Sequence, residues 1–161
     1  MSPQEPLIVW TDGACLGNPG PGGWAWARSK TDYASGSEPM TTNQRMELLA
    51  VIEALAAHPG QIEIRSDSTY VVNCFKDRWW VNWRARGWRN SQGKPVANQD
   101  LWERLIGEVV DHRPGEITFT WVKGHANDVM NNVADELCTA AARLQRPAYS
   151  QDQPILPGHL S

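Results

Sequence analysis

Leu48, Val51, Ile52 and Leu55 recur at i, i+3, i+4 and i+7, the spacing that lays one apolar stripe along a helix, and the pattern stops at "HPG", residues 58–60. Strand-like stretches flank this helix. "LIVWT" at 7–11 is apolar and ends at Asp12, while "GGWAWARS" and "TDYASGSE", within roughly 22–38, predict two strands joined by a turn near Lys30. "QIEIRSD" alternates, with Ile62, Ile64 and Ser66 on one face and Glu63, Arg65 and Asp67 on the other. Ser68 is placed to cap a helix that reaches about Phe75. A Trp- and Arg-rich segment then predicts a short helix and loop, broken at Gly87 and at "SQGKP". A helix near 98–111 follows on Leu101, Leu105 and Val109, with Trp102 and Ile106 out of register. "EITFTWVKG" predicts a strand, and a last helix runs from about Asn131 to Leu144. A three-strand meander followed by βα crossovers predicts a three-layer α/β domain around one mixed sheet, over residues 1–144. The tail, 145–161, has three prolines and no period, and is expected to be extended or disordered.

Composition changes this picture in two places. The 161 residues, 41% hydrophobic and 20% charged, are ordinary for one soluble domain with a proper core, and no run approaches a membrane span or a secretory leader. Cys15, Cys74 and Cys138 are odd in number, widely spaced and in no metal-binding pattern, so a reduced, cytoplasmic setting is expected. The net charge of −3 hides an asymmetry: Lys76–Lys94 carries +5, and the remainder −8. Trp79, Trp80, Trp83 and Trp88 lie inside the basic stretch, at a spacing that also suits packing into a satellite core.

The candidate chemistry lies in four acids. Asp12 and Asp67 end strands, where ligand crevices of open α/β sheets lie. Glu47 is placed in the first turn of the long helix beside its apolar stripe, and Asp135 in the first turn of the last helix. Each alone has an ordinary explanation as a turn residue or a partner of the helix dipole. Together at one crevice, with no basic neighbour in sequence, they would repel one another, and cations would relieve that repulsion. Oxygen donors without a Cys or His cage suit Mg²⁺ or Mn²⁺. Two such ions about 4 Å apart are the general device for phosphodiester cleavage.

"TDGACLGNPGPGGWAW", "TTNQRMELLAVIEAL", "IRSDSTYVVN", "WVNWRARGWRNSQGKPVANQDLW" and "FTWVKGHANDVMNNVADELC" resemble type 1 ribonuclease H, in its order and spacing over about residues 7–144. The resemblance implies a mixed five-stranded sheet with flanking helices and a basic Trp-rich protrusion. It also implies an endonuclease that hydrolyses the RNA strand of RNA–DNA hybrids with two Mg²⁺, leaving 5′-phosphate and 3′-hydroxyl ends. Asp12 then matches the acid that bridges both metals, Glu47, Asp67 and Asp135 the other metal ligands, and His125 a loop histidine assisting proton transfer or product release.

The resemblance further implies contacts of Gly13 and Cys15 with the RNA strand through main-chain groups, and of Asn18 through its side chain. Small residues there let a nucleic-acid backbone come close. Thr42 and Asn98 would hold a DNA-strand phosphate, and Asn43 and Gln44 lie where the strands are told apart in the minor groove. Trp79 and Trp83 would pack on deoxyribose, partly exposed, with Trp80 and Trp88 buried, while Arg84, Arg86 and Arg89 meet phosphates. Phosphate contacts position without specifying, so sequence preference is expected to be low. No obligate protein partner and no membrane association is indicated, and a monomer is expected. Three positions depart from the family pattern: Thr69 after "DS", the loop 126–132 without its usual Gly and Pro, and Asn132 in place of an acid. A non-catalytic hybrid-binding module and another nuclease or strand transferase on the same fold remain the alternative readings.

Overall fold

The computed structural model describes residues 5–123 and 128–150. Strands β1 (Leu7–Cys15), β2 (Gly20–Ser29) and β3 (Asp32–Thr41) form an antiparallel meander. Helix α1 (Asn43–Ala57) crosses over to β4 (Ile62–Ser66), which lies parallel to β1. Helices α2 (Thr69–Lys76), α3 (Trp79–Ala85) and α4 (Gln99–Ile106) precede β5 (Ile117–Trp121), parallel to β4. Helix α5 (Val129–Leu144) leads to β6 (Ala148–Tyr149), so the sheet order is β5-β4-β1-β2-β3-β6.

The sheet therefore has six strands, not the five expected. The sixth is two residues long, too short to show a period, and pairs with the β3 edge at Ala34 and Ser35. Ser150 beyond it is buried and donates its backbone N–H to Tyr33 O at 3.0 Å.

Register assigns the two faces. Gly13 opposes Trp24, and a Cβ at Gly13 would run into the α1 backbone at Met46 and Glu47, so α1 covers the face that carries Val9, Thr11 and Gly13. A Cβ at Gly23 would run into the α5 backbone at Cys138 and Ala142, which puts α5 on the opposite face with Trp10, Asp12 and Ala14. On β2 that second face is made of small residues: Gly23, Ala25 and Ala27 sit opposite Ala14, Asp12 and Trp10 of β1. Helix α5 answers with Ala134, Cys138, Ala141 and Ala142, all buried, so helix and sheet backbones lie close.

The main core lies under α1, where Leu48, Val51 and Leu55 meet Val9, Ile62, Ile64 and Trp26. Thr42 caps α1 by accepting the Arg45 N–H at 3.3 Å. The helix's carboxyl end is closed by Arg113, buried, which donates to Leu55 O at 2.9 Å, His58 O at 2.8 Å and Gly60 O at 2.6 Å. Trp102 and Ile106, out of register by periodicity, are buried beside Leu101 and Leu105. The helix expected over 98–111 is regular to Ile106 and widens into a π-helical turn at Gly107–His112.

Candidate active site

Asp12 does not end its strand as expected: β1 runs on to Cys15, and Asp12 lies just past the last residue that β1 pairs with β4, on the face under α5 and only 4% exposed. Its Oδ1 accepts the Gly13 N–H at 2.9 Å. Glu47 is the fifth residue of α1 and lies past the first turn expected for it, because the helix starts at Asn43 behind its Thr42 cap; it is buried because its helix lies against the Gly13 backbone. Asp67 follows β4 directly. Carboxylate oxygens of Asp12, Glu47 and Asp67 lie within 4.8 Å of one another. Asp12, Asp135 and the Cys138 thiol form a second such group, so Asp12 is the member common to both. Asp135 is exposed, and it is the seventh residue of α5 rather than a first-turn residue, because the helix starts at Val129 behind its Asp128 cap.

The energetics of this arrangement are unfavourable as it stands. Burial, then the Asp67 charge, pushes Asp12 from 3.8 up to about 7. Burial, then the Asp12 charge, holds Glu47 well above its ordinary value. Oε2 of Glu47 is buried and has no hydrogen-bond partner. The cleft, about 460 Å³, is further lined by Asn43, Gln44, Ser68, Thr69 and Tyr70, with no basic side chain among its lining residues. An all-oxygen donor set with an unpartnered buried carboxylate oxygen fits a hard divalent cation. These four acids are the residues that could hold one. His125 lies outside the described residues.

Around the cleft, Asn18 Oδ1 accepts the Asn43 N–H at 3.1 Å, and the Cys15 thiol donates to Thr41 O at 3.3 Å. Asn18 thus ties the loop after β1 to the start of α1, and Cys15 ties the end of β1 to the end of β3. Thr42 is used as the α1 cap. Asn98, in the left-handed region at φ 60, donates Nδ2 to Tyr70 Oη at 3.2 Å. Two residues escaped the sequence reading. Tyr70 forms the cleft wall and is fixed by Trp102, whose Nε1 donates to its hydroxyl at 2.7 Å. Arg45 forks onto Asp100 at 2.9 and 2.7 Å, holding that carboxyl down at about 2. Both stand inside quoted motifs, but nothing in their spacing marks them.

The basic segment is more tightly built than expected. Trp83 contacts Trp79, Trp88 and Trp102 with centroids 6.0, 6.0 and 5.4 Å away, joining the segment to the main core. All four of its tryptophans are half-buried; Trp80 and Trp88 are not fully buried, because α3 lies across the edge of the core with no covering layer. Trp80 is flanked by Arg78 and Arg84, each 5.5 Å from its ring centre. Arg84 also forks onto Asp111 at 3.0 and 2.8 Å, and Arg89 donates to Gly93 O at 2.9 Å. Arg86 is exposed and makes no ion pair among the described residues.

A family model described as RNase H matches residues 4–143. The chain belongs to the ribonuclease H family. It is 46% identical over 140 residues to the Ribonuclease H of Symbiobacterium thermophilum, covering 84% of this chain and 93% of that protein. It is 48% identical over 138 residues to the Ribonuclease H of Granulibacter bethesdensis, covering 83% and 89%. Among solved structures, LC9-RNase H1, a type 1 RNase H with the type 2 active-site motif, aligns with a TM-score of 0.70 at 31% identity over 93% of this chain and 81% of that one. LC11-RNase H1 in complex with RNA/DNA hybrid aligns with a TM-score of 0.63 at 23% identity over 85% and 96%, which bears on the fold. The ribonuclease H fold thus accounts for the mixed sheet and its flanking helices. No helix among the described residues is long and apolar enough to cross a membrane.

Proposed function

We propose that this protein is a divalent-metal-dependent endoribonuclease that cuts the RNA strand of RNA–DNA hybrids with little regard to sequence, leaving 5′-phosphate and 3′-hydroxyl ends. The observation that carries the reading is the convergence of buried Asp12 and Glu47 with half-buried Asp67, in which Glu47 Oε2 has no partner and Asp12 is lifted to about 7. A fold keeps such a cluster at a cost of several kcal/mol unless a ligand offsets it. Two Mg²⁺, with Mn²⁺ able to substitute, would supply an activated water and stabilisation of the leaving oxygen.

The chain's own residues do the rest. Asp12 is common to the two halves of the acid cluster, and with Glu47 and Asp67 on one side and Asp135 on the other it would hold the metal. The main chain at Gly13 and Cys15 admits the RNA strand closely, with Asn18 beside it. Thr42 and Asn98 hold a phosphate of the DNA strand, while Asn43 and Gln44 face the minor groove. Trp79 and Trp83 pack on deoxyribose, and Arg86, with Arg84 and Arg89, meets phosphates remote from the cut. His125 moves a proton or helps release product. The protein works as a monomer in the cytoplasm.

The deciding assay incubates the protein with labelled RNA–DNA hybrid, duplex DNA and duplex RNA, with and without Mg²⁺. Cleavage of the hybrid's RNA strand alone, and only with Mg²⁺, is the expected result. Hybrid binding without any cleavage would overturn it in favour of a non-catalytic module.

A further inference from the structure

The last helix packs on the sheet through Ala134, Cys138, Ala141 and Ala142, all buried, with the Cys138 and Ala142 backbone close to Gly23, and Gln145 at its end donates to Gly22 O at 3.1 Å. Ahead of its first turn the tie to the sheet is Asp128, and Asp135 lies between Asp128 and Cys138. Asp128 Oδ1 accepts the Asn131 N–H at 2.9 Å and so caps α5, while Oδ2 accepts the Trp10 indole N–H at 3.3 Å. Trp10 is two residues before Asp12 on β1 and shares its face of the sheet. The far side of the indole is held by Arg65, whose guanidinium carbon lies 5.2 Å from the ring centre and which is itself paired to Glu63 at 2.7 Å. Glu63 accepts a further bond from Thr120 at 3.0 Å.

We propose that Asp128 and Trp10 are positioning residues that set the distance between Asp135 and Asp12, and with it the affinity of the site for its divalent cation. This rests on the reading of Asp12 and Asp135 as metal ligands. Asp135 is seven residues beyond Asp128, about 10 Å along the helix axis. Asp12 is two residues beyond Trp10. One carboxylate therefore ties the strand that carries Asp12 to the helix that carries Asp135. Releasing the Trp10 bond removes the hydrogen bond that ties the start of α5 to β1, so the helix start, and Asp135 with it, is held by the packing of Asn131, Ala134 and Cys138 without that anchor. Asp135 itself is exposed.

Two substitutions separate this from a helix-capping role. Asp128→Asn keeps the cap, because Asn serves as well as Asp at that position. With Oδ1 on the Asn131 N–H, it presents an amide donor to the Trp10 N–H where an acceptor is needed. Trp10→Phe keeps a ring for Arg65 to cover and removes the donor. Groups that orient metal ligands are worth about 10–100-fold in metal affinity. Both variants are expected near the lower end, with Mn²⁺ bound roughly tenfold more weakly when titrated by electron paramagnetic resonance, and with Tm and hybrid Kd near wild type. The double variant is expected to be no weaker than either single one, since both remove the same bond. Unchanged Mn²⁺ affinity in either variant, or a loss that appears only alongside a fall in Tm, would overturn the proposal. A wild-type protein that binds no Mn²⁺ would instead refute the metal reading of Asp12 and Asp135.

Discussion

The carboxylate cleft and the Trp/Arg segment gather charge of opposite sign, and they treat it in opposite ways. In the cleft, three carboxyl groups, two of them buried, converge within 4.8 Å of one another and Glu47 Oε2 has no hydrogen-bond partner. In the segment, charge is spread over a surface and much of it is already satisfied: Arg84 by Asp111, Arg89 by Gly93 O, Arg78 and Arg84 by the face of Trp80. The fold therefore holds the cleft at a standing cost and the segment at almost none. A site for a small hard cation must be built in advance, because its ligands have to converge. A handle for phosphates needs only exposed cations on a rigid base, because the polyanion brings its own field.

The contrast breaks most sharply at Asp12. Asp12→Asn is expected to lower the cleavage rate by about 10³ or more, since losing a centrally placed charge-stabilising group costs several kcal/mol. Hybrid binding should persist or tighten, as repulsion against phosphate falls. A variant that keeps more than a tenth of the wild-type rate would remove Asp12 from the metal site.

The same cost is visible without any reaction. In the metal-free protein, native Asp12 holds its proton to about 7, whereas the unfolded chain releases it near 3.8. The native state thus binds more protons over this interval, and stability falls as pH rises from about 4 through about 7. Glu47, also raised, acts in the same direction. A carboxyl moved that far stores on the order of 4 kcal/mol at neutral pH. Thermal unfolding in chelator should therefore show a lower Tm at pH 8 than at pH 5, and Mg²⁺ should recover more at pH 8. Asp12→Asn should reduce that pH dependence, leaving the part that burial of Glu47 carries. A flat metal-free profile would show that the cleft is not under electrostatic load.

His125→Ala should slow turnover by about 10²-fold, the lower end of what general acid–base groups contribute, without eliminating it. Single-turnover rates with folding checked by circular dichroism measure this. An unchanged rate would show that the motif around His125 carries no role in the reaction.

How much of this was legible in the sequence differs between the two regions for physical reasons. The α1 stripe and the alternation of β4 are periodic, so the strands and helix that carry Glu47 and Asp67 could be read directly, and Asp12 follows from the apolar run before it. The start of α5 could not. Asp128 is a cap whose second oxygen is satisfied by Trp10, 118 residues away in sequence, and only the fold shows that pairing. The same holds for Arg113, which closes α1 from across the domain. β6 has two residues and no period to detect. In the basic segment the spacing of tryptophans is the same for a packed cluster and a nucleic-acid surface. The structure shows half-burial for all four, a compromise that spacing cannot encode. Which arginines are already paired was equally hidden, because Asp111 lies 27 residues from Arg84.

That last difference gives the smallest and most discriminating expectation. If the segment is a phosphate handle, replacing Arg84, Arg86 and Arg89 together with Ala should raise KM with kcat little changed, because contacts remote from the cut act equally on ground and transition states. The three should not contribute alike. Arg86 is exposed and makes no ion pair among the described residues, so Arg86→Ala should flatten the log–log salt dependence of hybrid binding by roughly one unit. Arg84 already neutralises Asp111 through two bonds, so binding a phosphate there means breaking or sharing that fork, and Arg84→Ala should flatten the slope by less. Asp111→Asn frees the guanidinium while keeping its place over Trp80, so it should tighten binding at low salt and steepen the slope by up to about one unit. Measuring Kd across a salt series for the wild type and these variants separates the cases. Parallel slopes for all of them would show that the charges of this segment serve solubility, and that the contrast with the cleft is one between a site and an ordinary surface.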